Sequence, residues 1–316
     1  MAGERQRRGW MRGPEVRDPN WQDVIEHRPA WALVLLLLLP SGPATGRGGE
    51  GPGAPPAAVA RAAAPAVAPG GVVRWPGLGI DRCQLGDLQW QPWDGACWFA
   101  IDLLQAAGPL ELARVRLGRV ERRTVAVADY PYPVQRLRVA PEMAEPPAGQ
   151  LDRIHRERER VGALWELGGA PLFRLPLRPP LDPMPASRSF GSRRVFNGQP
   201  REPHGGVDLS APEGTPVLAA ERGRIAIAAD HYFSGNSVFI DHGGGLITMY
   251  FHLDRIVVRD GEAVERGQAI GTVGSTGRVT GPHLHFGVRW HGARVDPALL
   301  LGDPGRVPEI GADQPG

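Results

Sequence analysis

Between residues 187 and 300 the chain consists of short apolar runs separated by glycine-containing turns. Such runs, bounded by turn residues, are typical of β-strands, and no stretch of useful length in this region keeps a helical period. The runs are Pro216–Ala220, Arg224–Ala228, Ser237–Asp241, Leu246–Tyr250, Ala269–Val273 and His283–Val288. The pattern therefore predicts an all-β domain with many tight turns.

A second group of short runs lies between residues 73 and 140, again broken by turn residues. The runs cover residues 98–101, 113–117 and 124–127, and an imperfect alternation follows over residues 134–139. These runs predict a small β domain ahead of the larger one.

An amphipathic helix is predicted over residues 150–167. Apolar residues recur there at roughly helical spacing, and a mixed-charge run over residues 155–160 forms the solvated face. The apolar positions are Leu151, Ile154, Val161, Leu164 and Trp165. Six prolines follow between residues 171 and 185. They exclude regular structure there and indicate either a linker or a segment lining the wall of the domain.

The amino-terminal segment has the character of a secretory signal peptide. Four arginines among the first twelve residues precede an apolar run, Trp31–Leu39, which is too short to span a bilayer as a helix. Gly42–Ala44 is an acceptable cleavage site, and Met11 is an alternative start. We therefore expect export to the periplasm or cell envelope without a stable membrane span.

These patterns divide the chain into six parts. The predicted parts are a signal peptide (1–44), a flexible Gly/Pro/Ala linker (45–72), a small β domain (73–140), a helix and Pro-rich linker (141–186), a larger β domain (187–303) and a tail (304–316). The function of residues 187–303 depends on the histidine motifs described below.

Composition restricts the function classes. The 316 residues carry a formal charge of only +2, which gives no broad electrostatic case for nucleic-acid binding. All basic side chains other than histidine are arginines, which we attribute to GC-rich coding. Ala, Gly and Pro are abundant for the same reason.

Two features of the small β domain have alternative interpretations. Cys83 and Cys97 are the only cysteines. In an exported chain they are compatible with a disulfide, but two buried free thiols fit equally well. Trp90, Trp93 and Trp98 fit either a carbohydrate-stacking surface or the core of a small sandwich, and the bulk of these side chains favours the core.

The histidines supply the candidate chemistry. Seven of nine fall between His204 and His291, and four of them lie in the motifs His204–Asp208, Tyr250–Leu253 and His283–His285. A catalytic zinc prefers three imidazole or carboxylate ligands and leaves its fourth position to water. The motifs provide three ligands and two further histidines, a surplus that favours an enzyme over a structural zinc site.

Local geometry supports the same interpretation. Because alternate side chains of a strand face the same side, His283 and His285 should project together, with Leu284 buried behind them. Gly205 and Gly206 disfavour a helix between His204 and Asp208, and predict a tight bend that enters a strand. No HExxH helix occurs, which excludes a thermolysin-like arrangement.

Taken in order, these motifs resemble those of the lysostaphin-type, or LytM-like, zinc metallopeptidases. The resemblance covers about residues 187–300 and includes Asn197–Pro200, His204–Asp208, Gly235–Asn236, Ile240–Gly243, Thr248–Leu253, Ser275–Gly277 and Gly281–Phe286. It implies a mostly β protein with a compact antiparallel β peptidase domain and a groove, preceded here by the small β domain and the amphipathic helix. It also implies cleavage of peptide cross-links in bacterial peptidoglycan.

Position by position, the resemblance places metal ligands at His204, Asp208 and His285, which implies one Zn²⁺ per chain. It places two non-ligand catalytic histidines at His252 and His283. Hydrolysis would proceed by attack of a zinc-activated water, with the two imidazoles moving its proton and stabilising the oxyanion. Which imidazole is the general base stays open.

Further side chains near these motifs have less specific interpretations. Asn236 and Tyr250 are substrate-binding candidates, although a turn residue and a core aromatic explain them equally well. His231, His242 and His291 are expected to be structural, because metal ligands need convergent geometry rather than proximity in sequence.

Three functions fit the pattern. An exported endopeptidase is favoured over a non-catalytic LytM-like factor that activates a separate amidase, because such factors usually lack one of the five site residues. A metal-binding scaffold would leave His252 without a role.

The bond cleaved stays open between glycine bridges and a diaminopimelate–D-alanine bond. The partner is the peptidoglycan peptide stem, and residues 73–180 are a candidate surface for gating the site or binding a regulatory protein.

Overall fold

The computed structural model describes residues 66–138 and 145–311. The protein is mostly β, with antiparallel sheets and an amphipathic helix, which confirms the predicted fold class. The predicted signal peptide at residues 1–44 lies outside the described residues. None of the helices in the described ranges is long and apolar enough to cross a membrane.

The amino-terminal region, residues 66–138, contains eight strands. They are β1 (Ala66–Val67), β2 (Val72–Pro76), β3 (Ile80–Leu85), β4 (Leu88–Trp90), β5 (Ala96–Ala100), β6 (Gly108–Arg116), β7 (Arg119–Val127) and β8 (Val134–Leu137). Five of them form a sheet in the order β1-β7-β6-β3-β4, while β2 pairs with β5. The predicted runs at 98–101, 113–117 and 124–127 coincide with β5, β6 and β7 to within a few residues.

Part of the predicted linker is a strand. Residues 45–72 were expected to be flexible, but β1 pairs in parallel with β7, and Val67 is only 5% exposed. Backbone hydrogen bonds then join Gly70 and Gly71 to Ile101. The linker prediction is therefore wrong for residues 66–72, because burial of Val67 and Val72 and pairing with a sheet edge offset the local Gly/Pro/Ala composition.

Cys83 and Cys97 form a disulfide. Both are fully buried beneath the five-stranded sheet, in a cluster with Trp75, Phe99 and Leu112. The bond joins β3 to β5, which belong to different sheets, so the disulfide alternative is the one that the structure contains.

Helix α1 (Leu151–Gly162) is flanked by 3-10 turns at Ala148–Gln150 and Ala163–Glu166. These elements cover nearly the whole of the predicted helix. Ile154 and Leu164 are its buried residues, and Leu164 packs on Ile227 and Phe239 of the large sheet. Four residues of the predicted charged face are exposed, whereas Glu157 and Arg158 are partly buried and Glu157 accepts a hydrogen bond from Tyr232 N.

The Pro-rich segment between residues 171 and 185 contains no regular element but is not a free linker. Phe173, Leu177 and Leu181 are at most 6% exposed and belong to the main core. Leu177 also donates a backbone hydrogen bond to Leu300 O at 2.7 Å. The segment therefore lines the wall of the large sheet, which was the second of its two predicted roles.

The remaining elements build the site-bearing region. They are β9 (Arg193–Phe196), β10 (Gln199–Pro200), β11 (Gly206–Leu209), β12 (Pro216–Leu218), β13 (Gly223–His231), β14 (Gly235–Asp241), β15 (Leu246–Ile256), β16 (Ala263–Val264), β17 (Ala269–Val273), β18 (Leu284–Trp290), β19 (Ala293–Val295), α2 (Pro297–Leu301) and a 3-10 turn at Pro304–Arg306. Nine of these strands form one sheet with the path β11-β18-β15-β14-β13-β16, joined by β12, β17 and β19. All its pairings are antiparallel.

The two β regions share one hydrophobic core. Trp98 of β5 stacks on Trp290 of β18, with ring centroids 5.7 Å apart, and Trp93 contacts Phe173 at 4.6 Å. Trp98 is 3% exposed. For Trp93 and Trp98 the structure therefore supports the core interpretation over carbohydrate stacking. A polar contact reinforces the same junction, since Asp102 accepts hydrogen bonds from the backbone and guanidinium of Arg294.

Candidate metal centre

Three side chains from two adjacent strands and the bend before them converge at one point. His204 Nε2 lies 2.8 Å from Asp208 Oδ1 and 2.9 Å from His285 Nδ1. His285 Nδ1 lies 3.0 Å from the same Asp208 oxygen. These are the three predicted metal ligands, and among the described residues no other group of histidine, cysteine and acidic side chains converges in this way.

Strand register explains the convergence. β11 and β18 are antiparallel with Asp208 directly opposite His285, so the two side chains emerge side by side. His204 reaches them through the glycine bend that precedes β11. A Cβ atom on Gly206 would lie 2.7 Å from His285 Nε2 and 2.5 Å from Phe286 O, whereas one on Gly205 would meet nothing closer than 3.6 Å. Gly206 is therefore required for His285 to occupy its position.

Ser189 orients two of the three ligands. Its carbonyl oxygen lies 2.9 Å from His204 Nδ1, and its Oγ accepts a 2.8 Å hydrogen bond from the backbone of Asp208. The first contact makes His204 Nδ1 a hydrogen-bond donor, and it directs Nε2 toward Asp208 and His285. The sequence analysis did not identify Ser189, because it lies fifteen residues upstream of His204 in an irregular segment.

Arg194 of β9 is the second group that the sequence analysis missed. Its Nη2 lies 3.1 Å from Asp208 Oδ2, the carboxylate oxygen that does not face the histidines. Burial raises the pKa of the Asp208 carboxyl, but hydrogen bonds from His204 and His285 outweigh that effect and hold the pKa well below its usual range. Asp208 is therefore an anion, as a metal ligand must be.

The donor set fits a zinc ion. Zinc takes two imidazole nitrogens and a carboxylate oxygen at about 2.0–2.2 Å, with the fourth position left open in catalytic sites. His204, Asp208 and His285 offer one such atom each, with all three atoms within 4.8 Å of one another. Burial lowers the pKa of His285 to about 4, so its imidazole is neutral and able to coordinate.

The two non-ligand histidines flank this cluster. His252 Nδ1 lies 3.0 Å from Thr276 O, and His283 Nδ1 lies 2.9 Å from Gly281 O. Each contact assigns the proton of the neutral ring to Nδ1, so that Nε2 carries a lone pair. The rings are 4.9 Å apart, and His283 Nε2 lies 3.7 Å from Asp208 Oδ1.

His252 has an unusual backbone conformation. Its φ is +65°, in the left-handed region that a non-glycine residue rarely adopts. The pairing of β14 with β15 shifts register just beside it, and its backbone N–H donates to Ser234 O at 2.9 Å. Burial lowers the pKa of His252 to about 4, and the proximity of His285 adds to this effect because two adjacent imidazolium ions would repel each other. The irregular strand thus directs a neutral imidazole toward the cluster.

His283 and His285 share a face, as alternation predicted. Leu284 between them is fully buried on the other side. Phe251, which lies opposite His285 in the register of β15 and β18, stacks on that ring with centroids 5.1 Å apart and planes 4° from parallel. Phe251 therefore restrains the orientation of a ligand imidazole, a role that the sequence alone did not indicate.

The two substrate-binding candidates have different environments. Tyr250 is fully buried, and its hydroxyl accepts hydrogen bonds from Ala220 N at 2.8 Å and Thr248 Oγ1 at 3.0 Å. The substrate-binding prediction is therefore corrected for Tyr250, which is the core aromatic of the alternative. Asn236 is partly exposed at the end of β14 and donates to Asp254 O, so its assignment stays a prediction.

The other histidines of the region lie apart from the cluster. His242 is fully buried between Arg222 O and Thr248 Oγ1, at 2.8 and 2.7 Å. His291 stacks on Trp90 with centroids 4.4 Å apart, and His231 packs against Phe239. Burial lowers the pKa of all three imidazoles.

Comparison with known proteins agrees with this geometry. The sequence model of peptidase family M23 matches residues 202–297, which contain all five site residues. A crystal structure from Pseudomonas aeruginosa, described as a peptidase M23, is 32% identical. The match covers 74% of this chain and 95% of the other, with a TM-score of 0.58. The chain belongs to peptidase family M23.

Relatives within the M23 family include two proteins from Vibrio cholerae. The peptidoglycan DD-endopeptidase ShyC is 41% identical over 144 residues, which is 45% of this chain and 33% of ShyC. The peptidoglycan DD-endopeptidase ShyA is 42% identical over 127 residues, covering 40% of this chain and 30% of ShyA. The match with this M23 chain thus spans about a third of the length of these relatives.

Proposed function

We propose that this protein is an exported zinc-dependent endopeptidase that hydrolyses peptide cross-links of bacterial peptidoglycan. The observation that carries the proposal is the convergence of His204, Asp208 and His285, with the imidazoles of His252 and His283 beside them. Membership of family M23 and the names of the Vibrio cholerae relatives support the substrate.

The ligand set would hold one zinc per chain. A zinc ion held by these residues would supply a bound water whose pKa is lowered to about 7, and it would polarise the scissile carbonyl. The carboxylate of Asp208 and the neutral ring of His285 are already in the ionisation states that coordination requires. Ser189 and Phe251 hold two of these ligands in orientation, as described above.

His252 and His283 would carry the proton transfers. Because each ring donates from Nδ1 to a backbone carbonyl, each presents an unprotonated Nε2 on the side of the cluster. One of them accepts a proton from the attacking water and delivers it to the leaving amine. The other, once protonated, can donate to the developing oxyanion. Both assignments of the pair are compatible with this geometry.

The alternative is a non-catalytic factor that binds and activates an amidase. Such a factor has no need of an intact metal triad, a bend that admits His285 and two oriented imidazoles. All of these features are present here, and together they favour the enzyme. We further propose that the scissile bond joins two D-configured centres rather than glycines, since ShyC and ShyA are DD-endopeptidases.

Export is supported by the buried disulfide, because such bonds form and persist in oxidising compartments outside the cytosol. The test is amino-terminal sequencing of the protein recovered from its native envelope. Removal of the leader near Ala44 is expected. An intact leader in the membrane fraction would instead indicate an anchored enzyme.

Digestion of purified sacculi tests the activity. The full chain, loaded with zinc, should release peptide-containing fragments whose masses identify the bond cleaved. The same reaction with His283→Ala, which keeps the triad, should be slower by about 100-fold. Zinc-loaded, folded protein that releases no fragments, but stimulates an added amidase, would favour the non-catalytic factor.

A further inference from the structure

Arg194 and Arg201 belong to the hairpin that contacts the His204–Asp208–His285 cluster. Arg194 of β9 contacts Asp208 directly, with 3.1 Å between Nη2 and Oδ2. Arg201 follows β10, and its backbone N–H donates to Arg194 O at 2.8 Å. Both are partly exposed. The β9–β10 hairpin therefore presents the guanidinium of Arg194 beside the Asp208 carboxylate, with Arg201 immediately after the neighbouring strand.

A third arginine belongs to a different segment of the chain. Arg278 lies between Thr276 and Gly281, whose carbonyl oxygens contact Nδ1 of His252 and His283 respectively. The backbone N–H of Arg278 donates to Phe233 O at 2.9 Å. The loop that supports both candidate proton-transfer groups thus carries a cation of its own.

Aromatic contacts bring these two sides together. The guanidinium carbon of Arg278 lies 4.5 Å from the ring centroid of Phe233 and 6.0 Å from that of Phe196. Phe196 is two residues after Arg194 in β9 and therefore on the same face of that strand. Burial lowers the pKa of Arg278, and so do the nearby positive charges of Arg201 and Arg194. Arg278 is therefore close enough to both of the other cations to be repelled by them.

The cluster has unused hydrogen-bonding capacity. Among the residues that the structure describes, the buried Nε of Arg201 has no hydrogen-bond acceptor. Arg194 contacts the Asp208 carboxylate, which is also a proposed zinc ligand. Bound zinc would offset the negative charge of that carboxylate, so Asp208 would neutralise Arg194 less effectively. A guanidinium presents a planar fork of donors that matches a carboxylate, and such charge-assisted pairs are among the stronger hydrogen bonds.

We infer that Arg194, Arg201 and Arg278 bind a carboxylate of the peptide substrate next to the scissile amide. The inference deepens the proposed function, on which it rests, by assigning a charge requirement to the substrate. An anion here relieves the repulsion among three cations and supplies an acceptor to the buried Arg201 Nε. It also holds the amide beside the histidines that the Arg278 loop supports.

Two small peptides test the inference. One is an N-acylated D-alanyl-D-alanine with its free carboxylate, and the other is the same peptide as its terminal carboxamide. Equilibrium binding to the zinc-loaded full chain is measured by NMR titration at low ionic strength. The free carboxylate should bind about tenfold or more tightly than the carboxamide, and the difference should shrink as salt is added.

Variants separate the arginine cluster from the metal as the source of this preference. Arg278→Gln should reduce the ratio of the two affinities toward one, and Arg201→Gln should reduce it partly. Arg278→Lys, which keeps the charge but loses the planar fork, should retain an intermediate ratio. Arg259→Gln is the matched control, since that side chain is 88% exposed in a distant loop, and it should keep the parent ratio.

Each outcome decides the matter. A parent protein that binds both peptides equally overturns the inference. So does a preference that survives in Arg278→Gln and Arg201→Gln, because the carboxylate would then be bound by the metal. If the preference depends on the arginines but neither peptide nor sacculi are cleaved, the carboxylate site stands and the proposed endopeptidase activity fails.

Discussion

The two β regions bury their polar groups very differently. Among the described residues 66–138, Arg114 is the one buried charged or polar side chain, and it is satisfied by Glu121 and Pro76 O. Between residues 189 and 250 the buried polar side chains are Ser192, His204, Glu221, His231, Ser237, His242 and Thr248. The amino-terminal region is held by apolar burial and a disulfide, and the site-bearing region by polar networks as well.

This difference has a physical basis. Burying a polar group without a partner costs about 1–3 kcal/mol, so a fold accumulates such groups where partners are built in or a function needs them. His204 has Ser189 O, and His242 has both Arg222 O and Thr248 Oγ1. The amino-terminal region contributes stability and one side of the shared core, while the chemistry is concentrated in the other region.

The largest expected effect comes from removing a ligand. His285→Ala should abolish zinc binding and lower the rate of sacculus digestion by about 1,000-fold or more, because both water activation and carbonyl polarisation are lost. Metal content by mass spectrometry and fragment release measure the two effects. His155→Ala, on the exposed face of α1, is the control and should change neither. Full zinc occupancy in His285→Ala would remove His285 from the ligand set.

Removal of the disulfide tests how the amino-terminal region contributes to stability. Replacing Cys83 and Cys97 together with alanine should lower the free energy of unfolding by about 3 kcal/mol, because the bond closes a loop of fourteen residues in the unfolded chain. Zinc content should stay at the parent value, since neither cysteine approaches the site. Loss of zinc from the folded double variant would show that the two regions are not separable in this way.

Substitution of the flanking histidines should slow turnover without affecting the metal. His252→Ala and His283→Ala are each expected to keep zinc and the fold while lowering turnover by about 100-fold, the usual loss for a general acid or base. Circular dichroism, metal analysis and digestion rates separate these properties. A folded but metal-free variant would mean that the substituted histidine is itself a ligand.

Alanine substitutions at Gly205 and Gly206 test which residue of the bend must be glycine for zinc to bind. Gly206→Ala should weaken zinc binding by about tenfold or more, because its Cβ would lie 2.7 Å from His285 Nε2. Gly205→Ala is the matched control, with its nearest neighbour at 3.6 Å, and should bind zinc like the parent. Competition with a chromophoric chelator gives both affinities. Equal affinities would mean that the cluster adjusts freely around the bend.

The smallest effect concerns pH and a buried histidine outside the site. Burial lowers the pKa of His242 to about 4, against 6.5 in the unfolded chain. Between these pH values the unfolded state therefore binds more protons than the folded state. The free energy of unfolding consequently decreases as pH falls through this window, by up to about 1.4 kcal/mol per pH unit. Denaturant unfolding of parent and His242→Gln should show a shallower slope in the variant. An unchanged slope would contradict the burial argument, and His155→Ala again serves as control.

Much of the fold followed from local pattern. The apolar runs of the site-bearing region match strands β12–β15, β17 and β18 because side-chain alternation and turn chemistry are local properties. The helix and its buried face followed for the same reason. The linker prediction failed at residues 66–72, since pairing of β1 with β7 joins segments about sixty residues apart. Local composition carries no information about such a pairing.

The site was predictable to the extent that its motifs are contiguous. His204–Asp208, Tyr250–Leu253 and His283–His285 singled out five residues that the structure brings together. Tyr250 was misassigned because a motif position does not reveal which side of a strand faces the core. Ser189, Arg194 and Arg278 carry no motif of their own, and their roles appear only through contacts with those five residues.

The sequence by itself determined the class of fold, the residue types of the predicted metal site and the glycine bend, because these depend on residue chemistry and short-range spacing. The tertiary structure decided the disulfide, the sharing of one core by both β regions and the tautomers of the site histidines. It also decided that Arg194 contacts Asp208 and that Arg278, from a separate loop, approaches Phe196 on the strand of Arg194. Each of these depends on distances between residues far apart in the chain, which are fixed only when the strands pair and the core closes.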